Sequence, residues 1–321
     1  MQNLHYFIST EIPHDISFFV SNYSKIKNIM RLRGFPYEVR AEVIKKVVEK
    51  AEESGNLAQI IHDSRDNSVC GVIVQDVSAG VFFEREETKD CEKIKKEATE
   101  IFAEAKKIHD KQEEIYIKNM NFDRLNELGA VASQMFFSVK KTCKNDLPGN
   151  DIHRFFGAAT ADGNINYIPS LTHGLKNRYF IKGRPGTGKS TFLKKIAAAG
   201  INSGYDIEMY HCSLDPKSLD MIIVRDLGLC VFDSTAPHEY FPERCGDGII
   251  DIYGMCVVPG TDEKFSTELG ILKQKYDEVF TECRKYLKKY NDVVKQTEKN
   301  FLGMSKEATN RLVDDVLKTF F

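Results

Sequence analysis

The sequence predicts an α/β fold made of two tandem α/β domains, each with an attached helical hairpin. Three observations carry that expectation. A β-prone run, a glycine-rich loop and a helix former follow one another over residues 177–200. Residues 6–67 recur without a gap as residues 155–216. Each copy is then followed by apolar residues at alternating spacings of three and four, the pattern of a helix seam.

The glycine-rich segment reads NRYFIKGRPGTGKSTFLKKIAAAG from Asn177 to Gly200. Tyr179 to Ile181 is β-prone, Gly183 to Ser190 is loop, and Phe192 to Ala199 favours a helix that Gly200 is expected to end as a C-cap. GxxxxGK[ST] between a strand and a helix is a phosphate-binding loop. Gly183, Gly186 and Gly188 let the backbone turn its amides inward, with Pro185 and Thr187 completing the turn. The helix that follows adds the partial positive charge of its N-terminus. Lys189 is expected on the β- and γ-phosphates as a catalytic cation, Ser190 on Mg²⁺, and Thr191 on the α-phosphate. ATP and Mg²⁺ are therefore the expected cofactors. Such sites also need an acid at the end of a neighbouring buried strand. Gly228–Asp233 (GLCVFD) is an apolar run closing on a carboxylate, so Asp233 is the expected metal-binding and catalytic acid, with Asp220 and Asp226 as rivals. No NKxD segment reads guanine, which favours adenine, and no LSGGQ-like segment points to a transporter ATPase.

The repeat is quantitative. At a shift of 149, 14 of the 62 aligned positions are identical, including Lys27/Lys176, Asn28/Asn177, Gly34/Gly183, Pro36/Pro185, His62/His211 and Asp66/Asp215. One extra residue moves the shift to 150, which lays VIVQDVSAGVF (72–82) on IIVRDLGLCVF (222–232). The first copy lacks the chemistry. GRPGTGKST becomes GFPYEVRAE, Gly34 to Glu42. Tyr37 and Val39 replace glycines, Arg40 replaces Lys189, Ala41 replaces Ser190, and Phe83 stands where Asp233 stands. Residues 1–145 are accordingly expected to form a degenerate pseudo-domain with a hairpin over about 85–145. Residues 152–321 form the active domain with its hairpin over about 262–321. NDLPGND, Asn145 to Asp151, suits a linker.

Only the second copy carries the 28 residues 233–260 between its last strand and its long helix. His238, Glu239 and Arg244 are the chemical groups there, and Glu239 is included among the catalytic residues. Glu208, Asp215 and Glu239 all remain open as the base, and Arg33, Arg40 and Arg65 as an arginine from the first half. The seams run through Phe265, Leu269, Leu272, Tyr276, Val279, Cys283, Tyr286, Tyr290 and Val293, and through Ile94, Ala98, Ile101, Ala105, Ile108 and Ile115. Each seam is expected to pack within its own hairpin, with self-association or a protein partner as the alternative.

Composition narrows the field. Hydrophobic residues make up 42% and charged residues 29%, which suits a globular core, and a formal net charge of −2 predicts no nucleic-acid partner. The eight cysteines are scattered with no CxxC pair, so reduced thiols are expected. The first residues lack a basic stretch followed by an apolar core, and no apolar run approaches the roughly 20 residues of a bilayer span. A cytoplasmic protein without a membrane partner follows as the expectation.

GRPGTGKSTFLKKIA, YHCSLDPKSLD and FDSTAPHEYFP together resemble a little-characterised bacterial family of tandem P-loop ATPases, described as ATPases or nucleotide kinases. The likeness is close over about 155–260 and weaker over the first half, where family members often keep a second loop that Gly34 to Glu42 lacks. The resemblance implies ATP binding by Gly183–Thr191 and a part for Asp233. The expected function is hydrolysis of ATP at one site, with a pseudo-ATPase half as regulator or scaffold. A nucleoside- or nucleotide-kinase-like phosphotransferase and a non-catalytic ATP-binding switch are the alternatives.

Overall fold

The computed structural model describes residues 2–10, 16–139, 147–299 and 304–321. Residues 145 and 146 of the expected linker, and the last residues of the expected 85–145 hairpin, lie outside the described residues. In the first half the order is β1 (Leu4–Tyr6), β2 (Ser9–Thr10), β3 (Ile16–Ser17), α1 (Phe19–Tyr23), β4 (Asn28–Arg33), α2 (Tyr37–Glu53), β5 (Ala58–His62), β6 (Val69–Val74) and β7 (Ala79–Glu84). The helices α3 (Lys89–Ile117) and α4 (Phe122–Phe136) follow. The second half runs β8 (Asp151–Phe155), β9 (Gly157–Thr160), β10 (Gly163–Asn166), α5 (Ile168–Leu171), β11 (Asn177–Lys182), α6 (Lys189–Asn202), β12 (Ile207–His211), β13 (Leu219–Val224), β14 (Leu229–Asp233) and β15 (Asp247–Asp251). It ends with α7 (Ile252–Cys256), α8 (Thr261–Lys264), α9 (Ser266–Lys299) and α10 (Lys306–Phe320). Among the described residues, no helix is long and apolar enough to cross a membrane.

The fold is α/β with two mixed sheets of the same plan. One is ordered β4-β7-β6-β5-β1, the other β11-β14-β13-β12-β8 with β15 added beside β11. The registers correspond as well: Met30 faces Val81 in the first sheet, and Tyr179 faces Val231 in the second. Both sheets carry a register shift at the same place, between Ile61 and His62 and between Tyr210 and His211. The turn joining the last two antiparallel strands places a residue in the left-handed region at matched positions, Ser78 at φ 54° and Gly228 at φ 57°. Glycine is free there, whereas Ser78 must bear the cost of its Cβ.

The chain divides into two compact units, and each unit draws on both halves of the sequence. The first comprises residues 1–100, 156–173 and 282–321; the second comprises 101–155 and 174–281. The helical arms are thus not attached to their own cores as expected. In the second unit, α4 buries Leu125 and Ala132 against Phe192, Leu193 and Ile196 of α6. In the first unit, α10 buries Val313, Val316 and Phe320 against Val39, Val43 and Val47 of α2. The helix α3 is 29 residues long, and it starts in the first unit and ends in the second, where the 15 residues of α4 follow it.

The seams are corrected in the same way. Instead of packing within its own hairpin, each long helix packs against the other. Ile108 and Ile115 of α3 meet Leu269, Leu272 and Tyr276 of α9 within the second unit. Cys91 and Ile94 meet Tyr290 and Val294 within the first. The pairing is antiparallel, because the end of α3 meets the beginning of α9.

Gly200 is also not a helix stop. The helix α6 continues to Asn202, and Gly204, at φ 85°, takes the left-handed position after the cap Ser203. Gly200 instead lets Ile207 and Phe137 approach, since a Cβ there would lie 2.7 Å from each.

A histidine pair recurs in both units. His5 Nδ1 lies 3.0 Å from His62 Nε2, and His153 Nδ1 lies 2.8 Å from His211 Nε2. The second ring nitrogen of His62 meets the Asn67 carbonyl, and that of His211 meets the Pro216 carbonyl. Burial drives both His62 and His211 down to about 4.

Two outcomes follow from this packing. Phe320→Ala is expected to cost about 3–5 kcal/mol and to raise amide exchange in α2 of the first half rather than in α6. Exchange mapping checks this, and selective loss of protection in α6 would contradict the exchanged arms. His62 and His211 bind a proton more readily in the unfolded chain, near pH 6.5, than in the folded one, near 4. Their contribution to stability is complete above about pH 6.5 and is lost as pH falls towards 4. The fall in unfolding midpoint between pH 7 and pH 5 should be smaller in the His62→Gln, His211→Gln double variant than in the wild type.

Candidate functional site

The loop 183–188 joins the end of β11 to the start of α6, at the edge of the second unit's sheet where β14 also ends. Gly186 and Gly188 have φ of 76° and 75°, a region closed to most side chains. Gly183 is needed for space: a Cβ there would fall 2.7 Å from Thr187 Oγ1 and 3.0 Å from Lys189 Cδ, whose stem passes over it. Thr187 Oγ1 donates to the Arg184 carbonyl at 2.8 Å and pins the turn. Gly188 caps α6 without a side chain, so no capping oxygen competes for the amides of the first helical turn.

Lys189 Nζ donates to the Arg184 carbonyl at 2.9 Å and stands 3.4 Å from Asp233 Oδ2. The ammonium is thus held across the mouth of the loop by a carbonyl on one side and a carboxylate on the other. Asp233 ends β14 as expected, opposite Ile181 of β11, and its other oxygen accepts from Thr235 Oγ1 at 2.7 Å. Ser190 Oγ accepts from the Leu219 amide at 2.9 Å, which ties the start of α6 to the start of β13. Gly183, Pro185, Gly186, Thr187, Gly188, Lys189, Ser190 and Thr191 therefore form one continuous loop and helix start, with Asp233 brought to Lys189.

Asp220 is the second residue of β13, whose next residue, Met221, faces Phe232 next to Asp233. Burial and the neighbouring Asp233 carboxylate push Asp220 up to about 7. The two rivals for the acid position thus separate. Asp220 joins Asp233 at the loop, while Asp226 lies past the far end of β13 on a 3₁₀ turn, Arg225–Leu227. Ser190, Asp220 and Asp233 offer only hard oxygen donors, the set a Mg²⁺ ion takes.

Glu239 is not brought to this centre by any contact of its carboxylate: it pairs with Lys182 at 3.2 Å, and Lys182 also donates to the Ser234 and Tyr240 carbonyls. It pins the chain after β14. Arg244 holds the Leu175 carbonyl and Asp247. Glu208, another candidate base, is occupied: although burial pushes its carboxyl up, Arg154 and Arg225 hold it below the usual range. Asp215 pairs with Lys106 at 3.4 Å. His238 stays within the field of Asp233, with burial drawing its ring downwards.

What the sequence did not reveal is the cover. A Cβ on Gly186 would lie 2.5 Å from the Glu113 carbonyl of α3, and one on Gly188 2.4 Å from Leu125 Cδ2 of α4. His109 and Glu113 form an i,i+4 pair on that face of α3, and Lys189 contributes to the field at His109. Further along, Tyr116 Oη donates to Asp262 at 2.9 Å, and Arg184 of the loop pairs with the same carboxylate at 3.0 Å. First-half helices thus line the second-half loop, a contact that no local sequence signal encodes.

Arg33, Arg40 and Arg65 all belong to the first unit, where they pair with Glu84, Glu298 and Asp63 respectively. Arg40 explains the fate of the first copy's loop. Without glycines at 37 and 39, α2 begins at Tyr37, three residues before the position that matches Lys189. Val39 and Phe83 enter the hydrophobic core, and Arg40 is buried with its guanidinium 3.0 Å from the Glu298 carboxylate of α9. A side-chain anion from the second half meets the cation of the degenerate loop.

Glu298→Ala leaves a buried guanidinium without its carboxylate and is expected to destabilise the protein by about 3 kcal/mol, measured by denaturant unfolding. A change within about 0.5 kcal/mol would show that the pair is dispensable.

No protein-family model, curated protein or solved structure matches the chain, so the functional reading rests on the chemistry of these residues.

Proposed function

We propose that the chain binds ATP with Mg²⁺ at the 183–191 loop and hydrolyses it there, as a P-loop NTPase with one working site. The observation that carries the reading is Lys189, suspended between the Arg184 carbonyl and Asp233 over a glycine turn whose helix start has no side-chain cap. Both partners are ones that a polyphosphate can replace. The loop amides and the α6 terminus would cradle the β-phosphate, and the ammonium would neutralise the β- and γ-oxygens as charge develops on them. Ser190 and Asp233 would hold the metal, whose contribution is to neutralise and orient the terminal phosphates.

Contacts of Gly186 and Gly188 with α3 and α4 support a conformational use of the nucleotide. Phosphates entering the loop would press on neighbours already in van der Waals contact. The first copy would then act as a pseudo-ATPase scaffold, its Arg40–Glu298 pair replacing a nucleotide permanently.

Lys189→Ala is expected to lower ATP turnover by at least 100-fold in purified protein, and to weaken binding of a fluorescent ATP analogue. Undiminished turnover in that variant would refute hydrolysis at this loop. Turnover that appears only on adding nucleosides or nucleotides, with a phosphorylated product, would reassign the site to phosphoryl transfer.

A further inference from the structure

We propose that Asp220 is the second carboxylate of the divalent-metal site, acting with Asp233 opposite Ser190. The inference rests on the metal–nucleotide reading of the loop.

Register is the first argument. The strands β13 and β14 are antiparallel, with Met221 opposite Phe232, so the next step along each strand sets Asp220 beside Asp233. Facing residues of an antiparallel pair point to the same side of the sheet, with Cβ atoms about 5 Å apart. Asp233 is the carboxylate on Lys189, so its neighbour shares the same pocket.

The second argument is the tether. Leu219, directly before Asp220, gives its amide to Ser190 Oγ at 2.9 Å. That bond uses one lone pair of the hydroxyl and leaves the other for a cation. It also fixes Asp220 against the start of α6. Ser190, Asp220 and Asp233 thus come from three different elements and are held in place by backbone pairing.

The internal repeat supplies the third argument, independently of distance. At the shift of 150 that aligns β6 with β13, Asp220 falls on Cys70. The first copy has replaced Lys189 by Arg40, Ser190 by Ala41, Asp233 by Phe83 and Asp220 by Cys70. Structural positions of the same sheet were kept, among them the histidine pair and the shared bulge. An acid needed only to shape the strand would be expected to persist with those. Asp220 departed with the phosphate and metal groups instead.

The partner of Asp220 changes in step. Cys212 is hydrogen-bonded to Asp220, and at the shift of 149 it falls on Asp63. In the first copy, Asp63 is neutralised by Arg65 and Arg85 and so forms a structural ion pair. The second copy has no arginine at the position matching Arg65, which is Leu214. Lys189 faces both Asp220 and Asp233, and a divalent cation would complete the charge balance.

Mn²⁺ reports the site directly, because free Mn²⁺ is counted by its paramagnetic resonance. With ADP bound, Asp220→Asn is expected to weaken Mn²⁺ binding by about 10–100-fold. Binding of ADP in excess chelator should be unchanged. Asp220→Cys, which installs the residue the matched strand of the first copy already accommodates, should weaken Mn²⁺ equally and guards against a folding defect of the first variant. Asp226→Asn should behave as wild type. Wild-type affinity for Mn²⁺ in both Asp220 variants, with ADP bound, would overturn the assignment and leave the nucleotide site standing. Failure of the wild-type protein to bind ADP or ATP at all would overturn the functional reading itself.

Discussion

The length of α3 is the constraint on which the rest depends. This helix of 29 residues begins in the first unit and ends in the second, so α4, which follows it, belongs to the second unit. Its apolar stripe is covered by α9, which is longer still, at 34 residues. Once the two stripes pair antiparallel, each short terminal helix meets the core of the other copy. Leu125 then seals α6, and Phe320 seals α2. Burial drives the choice: each apolar face removed from water contributes about 25 cal/mol per Å².

That exchange puts first-half atoms on the second-half loop. Gly186 and Gly188 tolerate Glu113 and Leu125 only because they lack Cβ atoms, so the same glycines serve two demands. Positive φ gives the loop the turn that the proposed phosphate cradle needs, and bare Cα atoms allow the covering helices to approach. In the first copy neither demand survives. Tyr37 and Val39 favour helix over a left-handed turn, α2 extends backwards through the former loop, and the cation is satisfied by Glu298.

Much of this was legible from the residues. The strand, loop and helix at 177–202 follow from period and glycine placement, and Gly228–Asp233 appears as β14 ending on its acid. The repeat is present in the sheets down to the register of Met30 with Val81 and Tyr179 with Val231. The packing of the arms is not encoded locally, because a heptad seam specifies a partner's shape and not its address. The role of Gly200 is equally hidden, because a glycine before a polar turn looks the same whether it caps a helix or admits Phe137. In the sequence Asp220 stands as a rival of Asp233, since linear sequence does not reveal that β13 and β14 are antiparallel neighbours. Glu239 is a carboxylate close in sequence to Asp233, but its partner is Lys182, the residue directly before the loop.

The two copies together separate what the fold requires from what the chemistry requires. Kept in both are the strand order, the bulge before His62 and His211, the histidine pairs and a left-handed residue at 78 and 228. Each of these fixes backbone geometry or satisfies a buried polar atom, and losing it costs stability whatever the protein binds. Replaced in the first copy are a compact cation, a hydroxyl and two acids, none of which the sheet needs. Asp63 shows that the first copy did not simply drift towards apolar residues: it carries a buried carboxylate and provides Arg65 and Arg85 to neutralise it. In the second copy, Asp220 and Asp233 share Lys189. Two acids with one cation is a poor arrangement for stability, and a sound one for a site completed by a divalent ion and an anionic phosphate.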